Sequence, residues 1–177
     1  MENVSINKSI CLSEHFSLGE VTKSSHTEIY NIPSHVAIEN LKRVCVWLEA
    51  LRYRYNMRYE CPSPPSTSSG TVEGGTVAEP VEAPIIINSG YRSPELNKKV
   101  GGAPTSNHLS GCAVDIHVAG IEQAIRYAVI LMDYADETKQ DYDELLIERS
   151  PHGNYWVHFA VRPPKMGNRR KIRLLQV

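Results

Sequence analysis

An aspartate in the middle of an apolar strand constrains this chain more than any other feature. Residues 112–118 read CAVDIHV, apolar apart from Asp115 and His117. Such a run predicts a buried strand, and a buried carboxylate is costly unless it is paired or binds a metal. Upstream, 106–111 is a polar loop that carries His108, seven residues before Asp115, and Gly111 permits a tight bend there. A second ionisable residue, His158, stands inside another apolar run, YWVHFA at 155–160. Histidine nitrogens and carboxylate oxygens are both good zinc ligands. The residues alone leave two readings open. Either His108 and Asp115 form a buried hydrogen-bonded pair with His158 unrelated, or the three hold a metal. His117, two residues past Asp115, shares its strand face. It is a further ligand, a partner behind a ligand, or a polar strand residue.

The surrounding pattern predicts one α+β domain over residues 1–177, a small antiparallel sheet with helices packed on it. Residues 14–32 read as short turns. A helix then starts at Pro33 and Ser34, with Ala37, Leu41, Val44, Leu48 and Leu51 on its core stripe. Residues 60–84 are rich in Pro, Ser, Thr, Gly and Glu and read as a flexible surface insertion. Residues 84–90, PIIINSG, read as a buried strand ending in a turn. Ser93-Pro94-Glu95 opens a short helix that Gly101-Gly102 closes. A second long helix covers 121–134, with Ile121, Ile125, Ala128 and Met132 as its core stripe. Strands at 144–148 and 155–161 flank a turn at 150–154, and a last strand covers 172–176.

Composition narrows the function classes. With 19 Lys plus Arg against 20 Asp plus Glu, the chain lacks the basic excess of a nucleic-acid binder. No apolar run approaches the ~20 residues of a membrane span. No signal peptide is visible, so synthesis in the cytoplasm is expected. The four cysteines form no C-x-x-C pair and read as free thiols. H-E-x-x-H, G-x-S-x-G, P-loop and G-x-G-x-x-G motifs are absent.

Several segments together resemble one family. They are Ile87-Asn88-Ser89-Gly90-Tyr91-Arg92-Ser93, Val100-Gly101-Gly102, Ser106-x-His108-x-x-Gly111-x-Ala113-x-Asp115 and Trp156-Val157-His158. In this order they resemble the zinc D-Ala-D-Ala carboxypeptidases, whose metal site is shared with hedgehog domains. The likeness is to the wall-cutting subgroup of phages and bacteria, and Phe16-Ser17-Leu18-Gly19-Glu20 and the first long helix extend it toward the N-terminus. The resemblance implies that His108, Asp115 and His158 hold Zn2+ and that a zinc-activated water cleaves a peptide bond of the peptidoglycan stem. It implies a monomer acting at the cell wall, as a phage lysis or virion protein. Arg92 matches an arginine near the metal, for the oxyanion or a substrate carboxylate, against an ion pair that pins the short helix. Ser106 either binds substrate or caps its loop, and Trp156 either walls the pocket or packs in the core. The general base is expected to be Glu148, facing His158 across the hairpin, with His152 as the alternative. If neither serves, the chain would be a metal-binding module with weak catalysis, for wall binding or phage structure.

Overall fold

The computed structural model describes residues 7, 9–60 and 83–177. The expected insertion at 60–84 falls almost wholly outside them, as does Cys61. No helix among the described residues is long and apolar enough to cross a membrane.

The 14–32 segment holds a short helix, α1 (Leu18–Thr22), within its turns. Ser17 and Glu20 form a capping box, the Ser side chain on the Glu20 N–H and the Glu side chain on the Ser17 N–H. Helix α2 (His35–Tyr55) starts where expected, with the Ser34 side chain accepting from the Ala37 N–H. The stripe from Ala37 to Leu51 is buried, and Cys45, Trp47 and Tyr55 widen it. The Trp47 ring lies 4.9 Å from Tyr134 and 5.3 Å from Phe159, tying α2 to the next long helix and to the sheet.

Strand β1 (Ile87–Ser89), helix α3 (Pro94–Lys99), strand β2 (Ala113–His117), helix α4 (Ile121–Thr138) and strands β3 (Glu144–Arg149), β4 (Tyr155–Ala160) and β5 (Lys171–Gln176) follow. The buried face of α4 matches the expected stripe only in part, for Ala128 is buried and Met132 packs against the core. Ile121 and Ile125 are exposed, and Ala124, Tyr127, Ala128, Leu131 and Ala135 face inward. The inward face is rotated by roughly a quarter turn, at about 100° per residue, from the stripe of large aliphatics. Ile130 and Leu131 supply its large aliphatics, and the alanines between them let the helix lie close to its neighbours.

The five strands form one sheet in the order β1-β2-β4-β3-β5. Its first three pairings are antiparallel, and β3 with β5 is parallel. The expectation of an antiparallel sheet therefore fails at this edge. Ala160 at the end of β4 and Lys171 at the start of β5 both pair with Glu144. A short link that returns to the same end makes β5 run against β4. Because β3 also runs against β4, β5 lies parallel to β3.

Strand alternation gives the sheet two unlike faces. Val114, Ile116, Leu145, Val157 and Phe159 belong to the core beneath α2 and α4. The opposite face carries Asp115, Glu144, Leu146, Glu148, Trp156 and His158, as the register requires.

Candidate metal centre

Asp115 pairs with His158 across β2 and β4, so both side chains leave the sheet side by side. His108 comes from the 3-10 turn Asn107–Ser110 that leads into β2. Ser106 caps that turn, its Oγ accepting from the His108 N–H at 3.3 Å. Gly111 closes the turn at φ 71°, and a Cβ there would stand 2.4 Å from the Ala37 carbonyl oxygen. Only glycine meets both demands.

Three atoms converge. His108 Nε2 lies 3.2 Å from Asp115 Oδ1 and 3.2 Å from His158 Nδ1, and His158 Nδ1 lies 2.9 Å from Asp115 Oδ1. All three residues are buried, at 2, 7 and 8% exposure. His108 Nδ1 donates to the Gly90 carbonyl at 2.5 Å, which leaves Nε2 as a bare acceptor. The Arg92 guanidinium donates to Asp115 Oδ2 and, through Nε at 2.8 Å, to Ser89 Oγ. Arg92 therefore braces Asp115 against β1.

The residues fit a metal. Acceptor atoms repel at these separations unless a cation or a proton lies among them. A tetrahedral zinc with bonds of about 2.0–2.1 Å spaces its ligand atoms about 3.3 Å apart, close to the triangle found here. Two imidazoles and a carboxylate are also a donor set that zinc accepts. Among the described residues these are the ones whose ligand atoms group in this way.

The electrostatics follow from burial and neighbours. Burial raises the Asp115 carboxyl, but His108 and His158 outweigh it and hold Asp115 well below the usual carboxylate range. Burial lowers His158, but its contacts with the Asp115 and Glu144 carboxylates win and raise it to about 9. Burial raises Glu148 above its ordinary value, with His158 opposing and Asp115 reinforcing the rise. Burial also raises the Cys112 thiol, which takes no part in the triangle.

A cleft of about 980 Å³ opens over the site. Arg92, Ser106, His108, Asp115, Glu148, Trp156 and His158 all line it. Trp156 stands outside the core, and its indole Nε1 donates to Glu148 Oε2 at 2.6 Å. Glu148 is not directly opposite His158. Leu146 takes that place, and Glu148 pairs with Trp156, one step along the same face. His152 lies exposed in the turn between β3 and β4, away from the lining residues. His117 is exposed at the end of β2 and outside the triangle.

A model of the Peptidase M15 family matches residues 63–134. The match supports a zinc peptidase of that family. It spans Arg92, His108 and Asp115 and stops before Glu148, His152 and His158. His158 thus completes the triangle on geometric grounds independent of the Peptidase M15 match. No curated protein matches the chain.

Sequence reasoning missed Glu144 and Asn107. Glu144 Oε2 faces His158 Nε2 at 3.5 Å, and Asn107 Nδ2 donates to the same oxygen at 3.0 Å. A signal for Glu144 was present. A hairpin turn centred on residue 152 pairs 146 with 158, which places 144 and 148 diagonally about His158. Of the basic residues near the C-terminus, Arg169, Arg170 and Lys171 have acidic partners. Arg169 grips buried Asp143 at 2.6 and 2.8 Å, Lys171 reaches Glu144 at 2.8 Å, and Arg170 pairs with Asp136 and Asp141.

Proposed function

We propose that the chain is a zinc peptidase of the D-Ala-D-Ala carboxypeptidase or endopeptidase type, cleaving a peptide bond in the peptidoglycan stem or cross-bridge. The observation that carries this reading is the triangle of His108 Nε2, Asp115 Oδ1 and His158 Nδ1 in the floor of an open cleft. A zinc ion bound there supplies a Lewis acid for the scissile carbonyl and lowers the pKa of a coordinated water toward about 7. Glu148 takes the proton of the attacking water on its carboxylate and hands it to the leaving amine nitrogen. Its raised pKa brings it nearer neutrality, which suits a group that must both accept and release that proton. Trp156 holds one Glu148 oxygen and walls the cleft beside it. Arg92 fixes Asp115 and offers its remaining N–H groups to a substrate oxygen. Ser106 holds the His108 turn at the cleft edge. On this reading the protein works as a monomer on the cell wall, in phage lysis or as part of a virion.

Mass analysis of products from purified peptidoglycan tests it, with His108→Ala as control. Loss of a terminal D-Ala assigns a carboxypeptidase, and opened cross-links or shortened stems assign an endopeptidase. Products that persist with His108→Ala would remove the metal from the reaction. Bound zinc without any product would assign a wall-binding module instead.

A further inference from the structure

We propose that Glu144 is a positioning residue for the metal centre. It holds the His158 ring with its proton on Nε2, so that Nδ1 faces the metal, and the edge strand β5 holds Glu144 in turn through Lys171. This rests on the zinc reading of the site and adds to it the device that orients one of the ligands.

The argument is geometric. An imidazole that binds a metal through one nitrogen must carry its proton on the other, and what that second nitrogen meets sets the tautomer and the ring angle. His108 presents Nε2 and is backed at Nδ1 by the Gly90 carbonyl. His158 is turned the other way. It presents Nδ1, and Nε2 meets Glu144 Oε2 at 3.5 Å. The two histidines therefore use opposite nitrogens, and each needs its own backing group.

Glu144 is itself pinned on every side. Lys171 Nζ donates to Oε1 at 2.8 Å, and Arg169 Nη2 lies 3.0 Å from the same oxygen. Asn107 Nδ2 donates to Oε2. The glutamate side chain is 14% exposed and cannot easily swing away. Asn107 precedes the ligand His108, Lys171 opens β5, and Glu144 opens β3. One carboxylate thus joins two of the three ligand-bearing segments, the 3-10 turn and β4, to the last strand of the sheet. A pair made only for surface stability would not require the oxygen nearest Asn107 to be the one that meets Nε2.

Zinc affinity is measured by chelator competition on the full-length chain. Glu144→Ala should bind zinc about 10–100-fold more weakly than wild type. Glu144→Gln keeps a carbonyl that can accept from Nε2–H and should recover most of that loss. Lys171→Met should weaken binding several-fold by loosening Glu144. Nitrogen-15 NMR of the zinc-loaded wild type should place the His158 proton on Nε2 and the His108 proton on Nδ1. That measurement needs no variant, so a failure of Glu144→Ala to fold does not decide the matter. Glu144→Ala binding within about twofold of wild type, or a His158 proton on Nδ1 in the loaded protein, would overturn the proposal and leave the zinc reading intact. Wild type that binds no zinc would overturn both.

Discussion

His158 is where protons and metal compete. Its pKa is raised from 6.5 to about 9. A raised histidine stabilises the chelator-treated protein fully below about 6.5 and ceases to do so as pH climbs through about 9. Zinc needs the same Nδ1 bare, so binding between those limits must expel a proton, and affinity should rise with pH up to about 9. Calorimetry near pH 7.5 in two buffers of different ionisation enthalpy should report close to one proton released per zinc. No release would mean that His158 is already neutral. Glu148 behaves differently, because its work is on the proton and not on the ion. Glu148→Gln should keep zinc affinity while lowering kcat about 10²–10⁴-fold, as loss of a general base does. A Glu148→Gln variant that turns over at the wild-type rate would pass the base role to another group. Asp115 and His158 were legible in the sequence because an ionisable residue in an apolar run is rare without a reason, whereas His108, in a polar loop, stood out through the family resemblance. Glu144 was legible only through the hairpin register, because an acidic residue at the start of a strand is otherwise ordinary until its neighbours are known.

Between residues and the whole lie the elements, and α4 shows how they can mislead. Large aliphatics at helical spacing pointed to a face through Ile121 and Ile125, yet Ile125 is 51% exposed and Leu131 is fully buried. Leu131→Ala should cost about 2–5 kcal/mol of stability, and Ile125→Ala should stay within about 0.5 kcal/mol. Equal losses in denaturant titrations would contradict the observed rotation of the helix. Helix α2 starts and faces as its sequence predicts because a polar cap and a long one-sided stripe agree. The turn before β2 depends on Gly111. Gly111→Ala forces a Cβ against the Ala37 carbonyl at positive φ, and should cost more than about 1 kcal/mol while moving His108 off its place. Unchanged thermal stability and zinc affinity in that variant would show that α2 gives way more easily than its packing implies.

At the scale of the molecule, the metal should act as a staple between distant parts of the chain. The 3-10 turn, β2 and β4 each contribute one ligand atom, so zinc binds a folded arrangement that the unfolded chain lacks. At a free zinc concentration of 100 Kd the folded state gains about 2.7 kcal/mol, and Tm should rise by about 5–10 °C over chelator-treated protein. His108→Ala should show no such rise, and an equal rise in that variant would place the zinc elsewhere. Local chemistry alone determined much of this protein. Alternation, caps and turn residues carry the strands, the helix starts and the hairpin at 150–154, because those preferences act between residues close in the chain. The same local rules marked Asp115 and His158 as residues in need of partners. Only the tertiary structure decided which partners they have. The strand order, the parallel edge of β5, the face that α4 buries and the reach of Lys171 to Glu144 all join residues far apart in sequence. Such contacts are set by close packing and by charges meeting across the sheet, and no stretch of the chain read by itself contains them.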